Sequence, residues 1–404
     1  MRCLGFYPQV YYGTMAFVYL DHNATTPVDP AVLEAMHPVL TGAFGNASSV
    51  HAAGRQALAA VESARRAVVA ALGDPTAQVV FTSGGTEADN LAVLGAAEAR
   101  AAVGRHVVLS AIEHQAVLQT ADVLRRRGWE VTIAPVDSTG LVDLDALARA
   151  VRPGTTLVSV MHANNEVGTI QPLAAIAAIA HAQGAWLHTD AVQSFGKIAV
   201  QAPALGADLL TISAHKFYGP KGVGALWMRR GVTVVPQQVG GPHEHGLRAG
   251  TLAVPNIVGM GKAVELAVER LGQWTAVARL RDHLATCLQQ QIPEVVLNGH
   301  PTARVPNTVN LGFLGCEGEP LLIALDLDGV CVSTGAACSS GSTSPSHVLV
   351  AMGLPERQIQ GSIRFSLGLK TTADDVERVL ERVPRVVQRV RTAPRPAVGS
   401  GRAD

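Results

Sequence analysis

From about residue 50 to 230 the chain alternates helix-period stretches with short, almost unbroken apolar runs. Ala57, Val61, Ala64, Val68 and Leu72 recur every three or four residues, the stripe of an amphipathic helix, and Gly73 follows as its stop. Next come VVFT (79–82), a helix from Glu87, HVVLS (106–110), a helix through Arg127, WEVTIA (129–134), a helix near 143–151 and TLVSVM (156–161). A helix from Pro172 leads on to AWLHTD (185–190), DLLTIS (208–213) and GALWM (224–228). Strands this apolar, separated by helices, predict an α/β architecture with a mostly parallel sheet sandwiched by helices. Ligands of such sheets sit at the carboxyl ends of the strands, so polar residues there are the first candidates for chemistry.

After about residue 265 the pattern changes. A long helix through Cys287, NTVNLGF (307–313), a helix from Glu319, VCVS (330–333), SIRFSLG (362–368) and a final helix to about 390 predict a smaller α+β unit. No internal repeat is visible. The expected division is a large domain over 26–264, a small domain from 18–25 and 265–390, a loose leader over 1–17 in which Met15 could be the true start, and a disordered Pro-, Gly- and Arg-rich tail over 391–404.

Composition narrows the function more than the fold. Lys+Arg and Asp+Glu both number 32, so no charge excess points to direct nucleic-acid or membrane binding, and small-molecule chemistry is expected. No run approaches the roughly 20 apolar residues of a membrane span, and the leader lacks a signal-peptide core. The five cysteines form no C-x-x-C pair, which argues against a disulfide framework or a metal site and suits a reducing cytoplasm. One of them, Cys338, stands in STGAACSSGS (333–342), with no bulky neighbour to pack it and no cysteine partner at short spacing.

Polar groups gather at the predicted strand ends. In FTSGGTEADN (81–90), Gly84, Gly85 and Thr86 mark a strand-to-helix junction whose free N–H groups could cradle a phosphate, although on this motif alone a plain tight turn with Thr86 as N-cap is the better explanation. LHTDAVQS (187–194) ends its strand with Asp190 and Gln193; the carboxylate could be a cap, a surface charge or the partner of a protonated ring nitrogen. SAHKFYGPKG (213–222) places Lys216 just past another strand. Lysine is scarce here, with five against 27 arginines, and guanidinium cannot replace an amine that must form a Schiff base. A phosphate cradle, an acid for a ring nitrogen and a lysine amine together are the three needs of pyridoxal phosphate.

At these residues the sequence resembles the cysteine desulfurases, in the class V aminotransferase family of fold-type I pyridoxal-phosphate transferases. The resemblance runs through YLDHNATTPVDP (19–30), FGNASSVH (44–51), FTSGGTEADN, MHANNEVG (161–168), SAHKFYGPKGVGAL, LRAGT (247–251) and SIRFSLG, and covers about nine-tenths of the chain. It implies that Lys216 holds the cofactor as a Schiff base, Asp190 pairs with its ring nitrogen, and His114 stacks on the ring and shuttles protons. It further implies that Asn165 and Gln193 hold the side of the phenolic oxygen, and that Gly85, Thr86, Ser213 and His215 bind the phosphate. Thr251 would reach the phosphate of a neighbouring subunit, which implies a homodimer. Arg364, with Asn165, would bind the substrate carboxylate as a fork.

The same resemblance gives Cys338 a role. Its thiolate would take the sulfur of L-cysteine as a persulfide, leave L-alanine, and hand the sulfur to an acceptor or scaffold protein for iron–sulfur cluster assembly or tRNA thiolation. STGAACSSGSTSPSHVL resembles the long-loop branch, so a mobile loop around Cys338 is expected; the thiol could also ligate an iron–sulfur cluster in passing, with no resident metal. The sequence departs from the usual family wording at Ala214, Ala337, Pro242 and His245. The tail does not resemble the family's acceptor-docking end. Another pyridoxal-phosphate enzyme of this fold, such as an aminotransferase or a selenocysteine lyase-like enzyme, would keep Lys216 and Asp190 without needing Cys338. A catalytically silent partner in a sulfur-transfer complex would need neither.

Overall fold

The computed structural model describes residues 17–334 and 345–392; the stretch carrying Cys338 lies outside them, as do the expected leader apart from Phe17 and the expected tail apart from Arg391 and Thr392, which end the last helix. The described chain opens with β1 (Val18–Tyr19), α1 (Pro30–Thr41) and α2 (Ala52–Leu72). It continues through β2 (Gln78–Thr82), α3 (Gly85–Ala99), β3 (His106–Ser110), α4 (Gln115–Arg126), β4 (Glu130–Ala134), α5 (Leu144–Ala150) and β5 (Thr155–Ser159). Next are α6 (Leu173–Ala182), β6 (Trp186–Asp190), α7 (Ala202–Leu205), β7 (Leu209–Ser213) and β8 (Gly224–Met228).

These strands form one seven-stranded sheet in the order β2-β8-β7-β6-β5-β3-β4. The run from β7 to β4 is parallel throughout, and β8 lies antiparallel to both its neighbours. The link 214–223 between β7 and β8 is shorter than the roughly a dozen residues a parallel crossover needs, so β8 must return antiparallel. Both faces of the sheet are covered, as the unbroken apolar strands require. Val79, Phe81, Leu210, Ile212 and Trp227 pack under α1, α2 and α8 (Val254–Glu269), while their alternates Val80, Leu209, Leu226 and Met228 pack under α3 and α4. The stripe Ala57, Val61, Ala64, Val68 and Leu72 is the buried face of α2, and Gly73 closes it at φ 90°, a left-handed position open to glycine.

The second core is built from α9 (Trp274–Gln291), β9 (Val295–Asn298), β10 (Thr308–Phe313), α10 (Gly318–Leu327), β11 (Val330–Cys331), β12 (Ser362–Ser366) and α13 (Ala373–Thr392), while α11 (His347–Ala351) and α12 (Glu356–Gln360) pack in a separate cluster with Ile112, Met161 and Val167. β10 lies between β12 and β9, antiparallel to both, and β1 pairs in parallel with β11. The N-terminal strand therefore belongs to this second core, where Val18 and Leu20 pack with Leu311, Phe313 and Phe365. The valine-rich face of α13, from Val376 to Val387, covers the same core.

Candidate active site

The parallel strands end along one edge, and the sequence-predicted residues cluster there. Gly224 on β8 is the register partner of both Thr82 and Ser213, so the ends of β2 and β7 stand level across it. A Cβ at Gly224 would lie 2.6 Å from the carbonyl carbon of Gly84, so only glycine lets the turn after β2 close over this edge.

That turn leads into α3 with Gly84 as N-cap and no side chain capping the first turn. Thr86 sits inside the first turn, which removes the reading of Thr86 as an N-cap and leaves the leading N–H groups open. A Cβ added to Gly85 would lie 3.5 Å from the Cβ of Ser213, and the Ser213 hydroxyl is buried without a hydrogen-bond partner among the described residues. An orphaned hydroxyl facing an uncapped helix N-terminus suits the phosphate of pyridoxal phosphate. His215, half-buried behind it, shares a hydrogen bond with Thr25 Oγ1 at 3.1 Å, and burial, assisted by Lys216 and Lys221, pushes its pKa down to about 4. Arg248, in the LRAGT motif, forks onto Glu87 at 2.7 and 3.2 Å, and Glu87 in turn accepts from the Ser83 N–H at 2.7 Å. Burial alone would raise the Glu87 carboxyl; Arg248 and Ser83 outweigh it and hold it low.

Asp190 ends β6 with Oδ1 accepting from the Val192 N–H at 2.8 Å. Burial pushes its carboxyl up, while His114, the Val192 N–H and Lys216 pull the other way. A protonated ring nitrogen would complete that compensation, so the acid fits the pyridine end of the cofactor. His114 is the N-cap of α4, its Nδ1 accepting from the Ala116 N–H at 3.1 Å.

Lys216 follows β7 in a single 3-10 turn, and its Nζ donates to the main-chain oxygens of Asn23 at 2.6 Å and Ala24 at 2.9 Å. Asn23 is the centre of a larger network. Its main-chain oxygen also accepts from Gln193 Nε2 at 3.0 Å; its Oδ1 accepts from Lys197 Nζ at 3.1 Å and Asn307 Nδ2 at 2.9 Å. Its Nδ2 donates to Thr308 Oγ1 at 2.8 Å and to the Asn165 main-chain oxygen at 3.1 Å. That Asn165 oxygen also accepts from Arg364 Nη1 at 2.9 Å, and Arg364 Nη2 donates to Asp21 Oδ1 at 2.7 Å. Arg364 is buried on β12, opposite Asn310 in the register, and its Nε has no hydrogen-bond partner among the described residues.

The structure therefore brings Gly85, Thr86, Asp190, Ser213, His215 and Lys216 to one edge of the large sheet, and ties Asn165, Gln193 and Arg364 to Lys216 through Asn23. Thr251 lies exposed in the segment leading to α8. Cys338 is outside the described residues, but both flanks of its stretch are fixed at the site. Ser333 exchanges main-chain hydrogen bonds with Arg364, at 3.2 and 2.6 Å. On the other side Ser346 Oγ donates to Glu166 Oε2 at 2.5 Å, and His347 Nε2 bonds the Glu113 oxygen, beside His114, at 2.9 Å. Asn23, Lys197 and Asp21 carry the network without having been singled out from the sequence. Asn23 and Asp21 lie within the YLDHNATT motif, and Lys197 is one of the five lysines, which is where a signal was present.

The family model for aminotransferase class-V matches residues 18–379. A cysteine desulfurase, IscS, of Dictyoglomus turgidum is 48% identical over 376 residues, covering 93% of this chain and 95% of its own. A cysteine desulfurase of a Nostoc species is 47% identical, covering 93% of this chain and 94% of its own. A solved NifS-like protein superposes with a TM-score of 0.86 at 38% identity, covering 92% of this chain and 99% of that one. A structure of SspA in complex with cysteine gives 0.77 at 34% identity, covering 88% and 99%. The chain belongs to the class-V aminotransferase family of fold-type I pyridoxal-phosphate enzymes. Its place within that family is among the cysteine desulfurases. Among the described residues no helix is long and apolar enough to cross a membrane, and no cluster of three or more metal-ligating side chains occurs.

Proposed function

We propose that this enzyme takes the sulfur of L-cysteine as a persulfide on Cys338, releases L-alanine, and passes the sulfur to an acceptor or scaffold protein for iron–sulfur cluster assembly or tRNA thiolation. The reading is carried by the flanks of the Cys338 stretch, one hydrogen-bonded to the backbone of Arg364 and the other held beside His114. The described residues on either side of that stretch are thus hydrogen-bonded to the residue assigned to the substrate carboxylate and to the chain neighbour of the one assigned to proton transfer, which supports the assignment of Cys338.

Lys216 is the residue to hold the cofactor, with Ser213, His215, Gly85 and Thr86 at its phosphate, Asp190 at its ring nitrogen, and Gln193 and Asn165 on the side of the phenolic oxygen. Bound pyridoxal phosphate supplies an electron sink for bonds broken at the substrate's carbon atoms. Arg364, preset by Asp21 and the Asn165 oxygen, orients the substrate carboxylate as a planar fork. His114 moves protons between the substrate and the site. The Cys338 thiolate forms the new S–S bond as the substrate C–S bond breaks, the electron pair remains with carbon, and a proton completes alanine. Thr251 contributes to the phosphate site of a second copy, which makes the working unit a homodimer, and the cytoplasm is its compartment.

The decisive experiment is Cys338→Ala. Sulfide and alanine formation from cysteine should vanish while the bound cofactor keeps its visible absorbance. Full sulfur transfer by that variant would reject the assignment and favour another pyridoxal-phosphate chemistry.

A further inference from the structure

Lys197 is a buried titratable group that the proposed reaction leaves unused. It lies in the turn after β6, is 2% exposed, and among the described residues its hydrogen bonds go only to neutral amide oxygens: Gln193 Oε1 at 2.7 Å and Asn23 Oδ1 at 3.1 Å. Those two amides have no freedom to turn over. The Asn23 main-chain oxygen can only accept, so the end of Gln193 facing it must be Nε2; the Asn165 main-chain oxygen likewise fixes Nδ2 of Asn23. Both amide oxygens are thereby directed at Lys197, whose amine donates to both in either protonation state.

We propose that Lys197 is a positioning residue of the cofactor site, pinning Gln193 and Asn23 so that the Gln193 amide group and the Asn23 main-chain oxygen stay fixed against Lys216. Without that amine Gln193 Oε1 loses the donor it has among the described residues, Asn23 Oδ1 keeps only Asn307 Nδ2, and the Gln193 side chain is held at one end only. The charged and titratable groups facing Lys197 are Lys216, Arg364 and His22. Burial first, then the two cations, push its ammonium well down, so the amine is retained here against an electrostatic cost. A buried lysine with no ion-pair partner among the described residues needs such a reason.

This inference rests on the placement of Gln193 and Lys216 in the cofactor site. Its test uses the full-length protein loaded with pyridoxal phosphate and reads the pH midpoint at which the visible absorption of the lysine-bound cofactor changes, together with the melting temperature. Lys197→Met should move the midpoint upward by about one pH unit, because a Gln193 donor no longer held in place favours the deprotonated form less. Lys197→Gln, which keeps an N–H donor, should return it toward the wild-type value. An unmoved midpoint in Lys197→Met, with only the melting temperature lowered, would reduce Lys197 to a structural role and overturn the proposal. A midpoint in Lys197→Gln as displaced as in Lys197→Met would also overturn it, since charge alone would then explain the effect. Should Lys197→Met fail to fold, Gln193→Ala carries the test and must shift the midpoint upward itself; no shift there is equally fatal. Wild-type protein without the band, or Lys216→Ala retaining it, would sink the site assignment and this inference together; a normal wild-type band with unmoved variants sinks this inference alone.

Discussion

Arg364 is held by Asp21, its Nη2 donating to Oδ1 at 2.7 Å, and the two residues come from opposite ends of the chain. The pair is set where β1 and β12 meet: Asp21 bridges to Ser366, and Arg364 faces Ser333. The guanidinium thus stands oriented before any substrate arrives, with Nε buried and unpaired among the described residues. Lysine cannot reproduce that planar fork. Arg364→Lys should raise KM for L-cysteine by roughly 10- to 100-fold, the equivalent of losing one charge-assisted hydrogen bond or two. Steady-state kinetics with cysteine, beside an unchanged cofactor spectrum, check this; an unaltered KM would take Arg364 out of the substrate site.

Asn23 joins the two cores, since its side chain meets Lys197 on one side and Thr308 and Asn307 on the other. Asn23→Ala leaves Lys197 with Gln193 as its acceptor and Asn307 Nδ2 with only the Leu367 main-chain oxygen at 3.3 Å, both in a buried region. Each unmet buried group costs about 1–3 kcal/mol, so a loss of roughly 2–4 kcal/mol in unfolding free energy is expected. Urea denaturation of the variant against wild type measures it. A loss below about 1 kcal/mol would mean that water or a rearranged neighbour satisfies these groups.

Much of this arrangement was legible in the sequence. The seven apolar runs from VVFT to GALWM are the seven strands of the large sheet, because strands buried on both faces cannot hide in a polar background. Lys216, Asp190 and Ser213 stand at the ends of those runs, where their chemistry was expected. What escaped were elements whose signals are weak or non-local. β9 is a short flanking strand entered through Glu294 at φ 56°, and α1 carries Pro38 inside it, which blurs its helical period. The antiparallel turn of β8 depends on the length of its link and not on its own residues. The Asn23–Lys197–Gln193 network joins positions up to 174 residues apart, and no local pattern announces it.

The loop before Thr251 shows what the departures at Pro242 and His245 do locally. Glu244 is buried and receives Arg65 as a fork, 2.8 Å to each oxygen, together with the Phe81 N–H at 2.7 Å. That anchor holds Glu244 and its exposed neighbour His245 at φ 46° and 58°, left-handed positions that cost a side-chain-bearing residue about 1 kcal/mol each. His245→Gly should relieve one of them and raise stability by up to about 1 kcal/mol, offset in part by the greater freedom of glycine in the unfolded chain. Arg65→Ala should act in the opposite sense, by roughly 3 kcal/mol, because it leaves the buried Glu244 carboxylate without its cation. Thermal melts of both variants give the two signs directly.

His162 provides a pH test of the buried edge of the site. Burial lowers its pKa from 6.5 to about 4, and its Nδ1 has no hydrogen-bond partner among the described residues. The unfolded chain therefore takes up the proton before the folded protein does. It follows that wild type loses stability relative to a His162→Asn variant as the pH falls from 6.5 toward 4, and that the difference levels off below that, where both states are protonated. The full swing is bounded by about 1.4 kcal/mol for each pH unit separating the folded and unfolded titrations, hence on the order of 3 kcal/mol across the window. Urea unfolding of the cofactor-free proteins at several pH values between those limits measures it, the comparison cancelling the opposite contribution of the buried acids Glu113 and Asp190, whose raised carboxyls favour the folded state on acidification. A difference that stays constant with pH would show His162 titrating as an ordinary exposed imidazole, and hence water reaching the interior beneath Asn164 and Asn165.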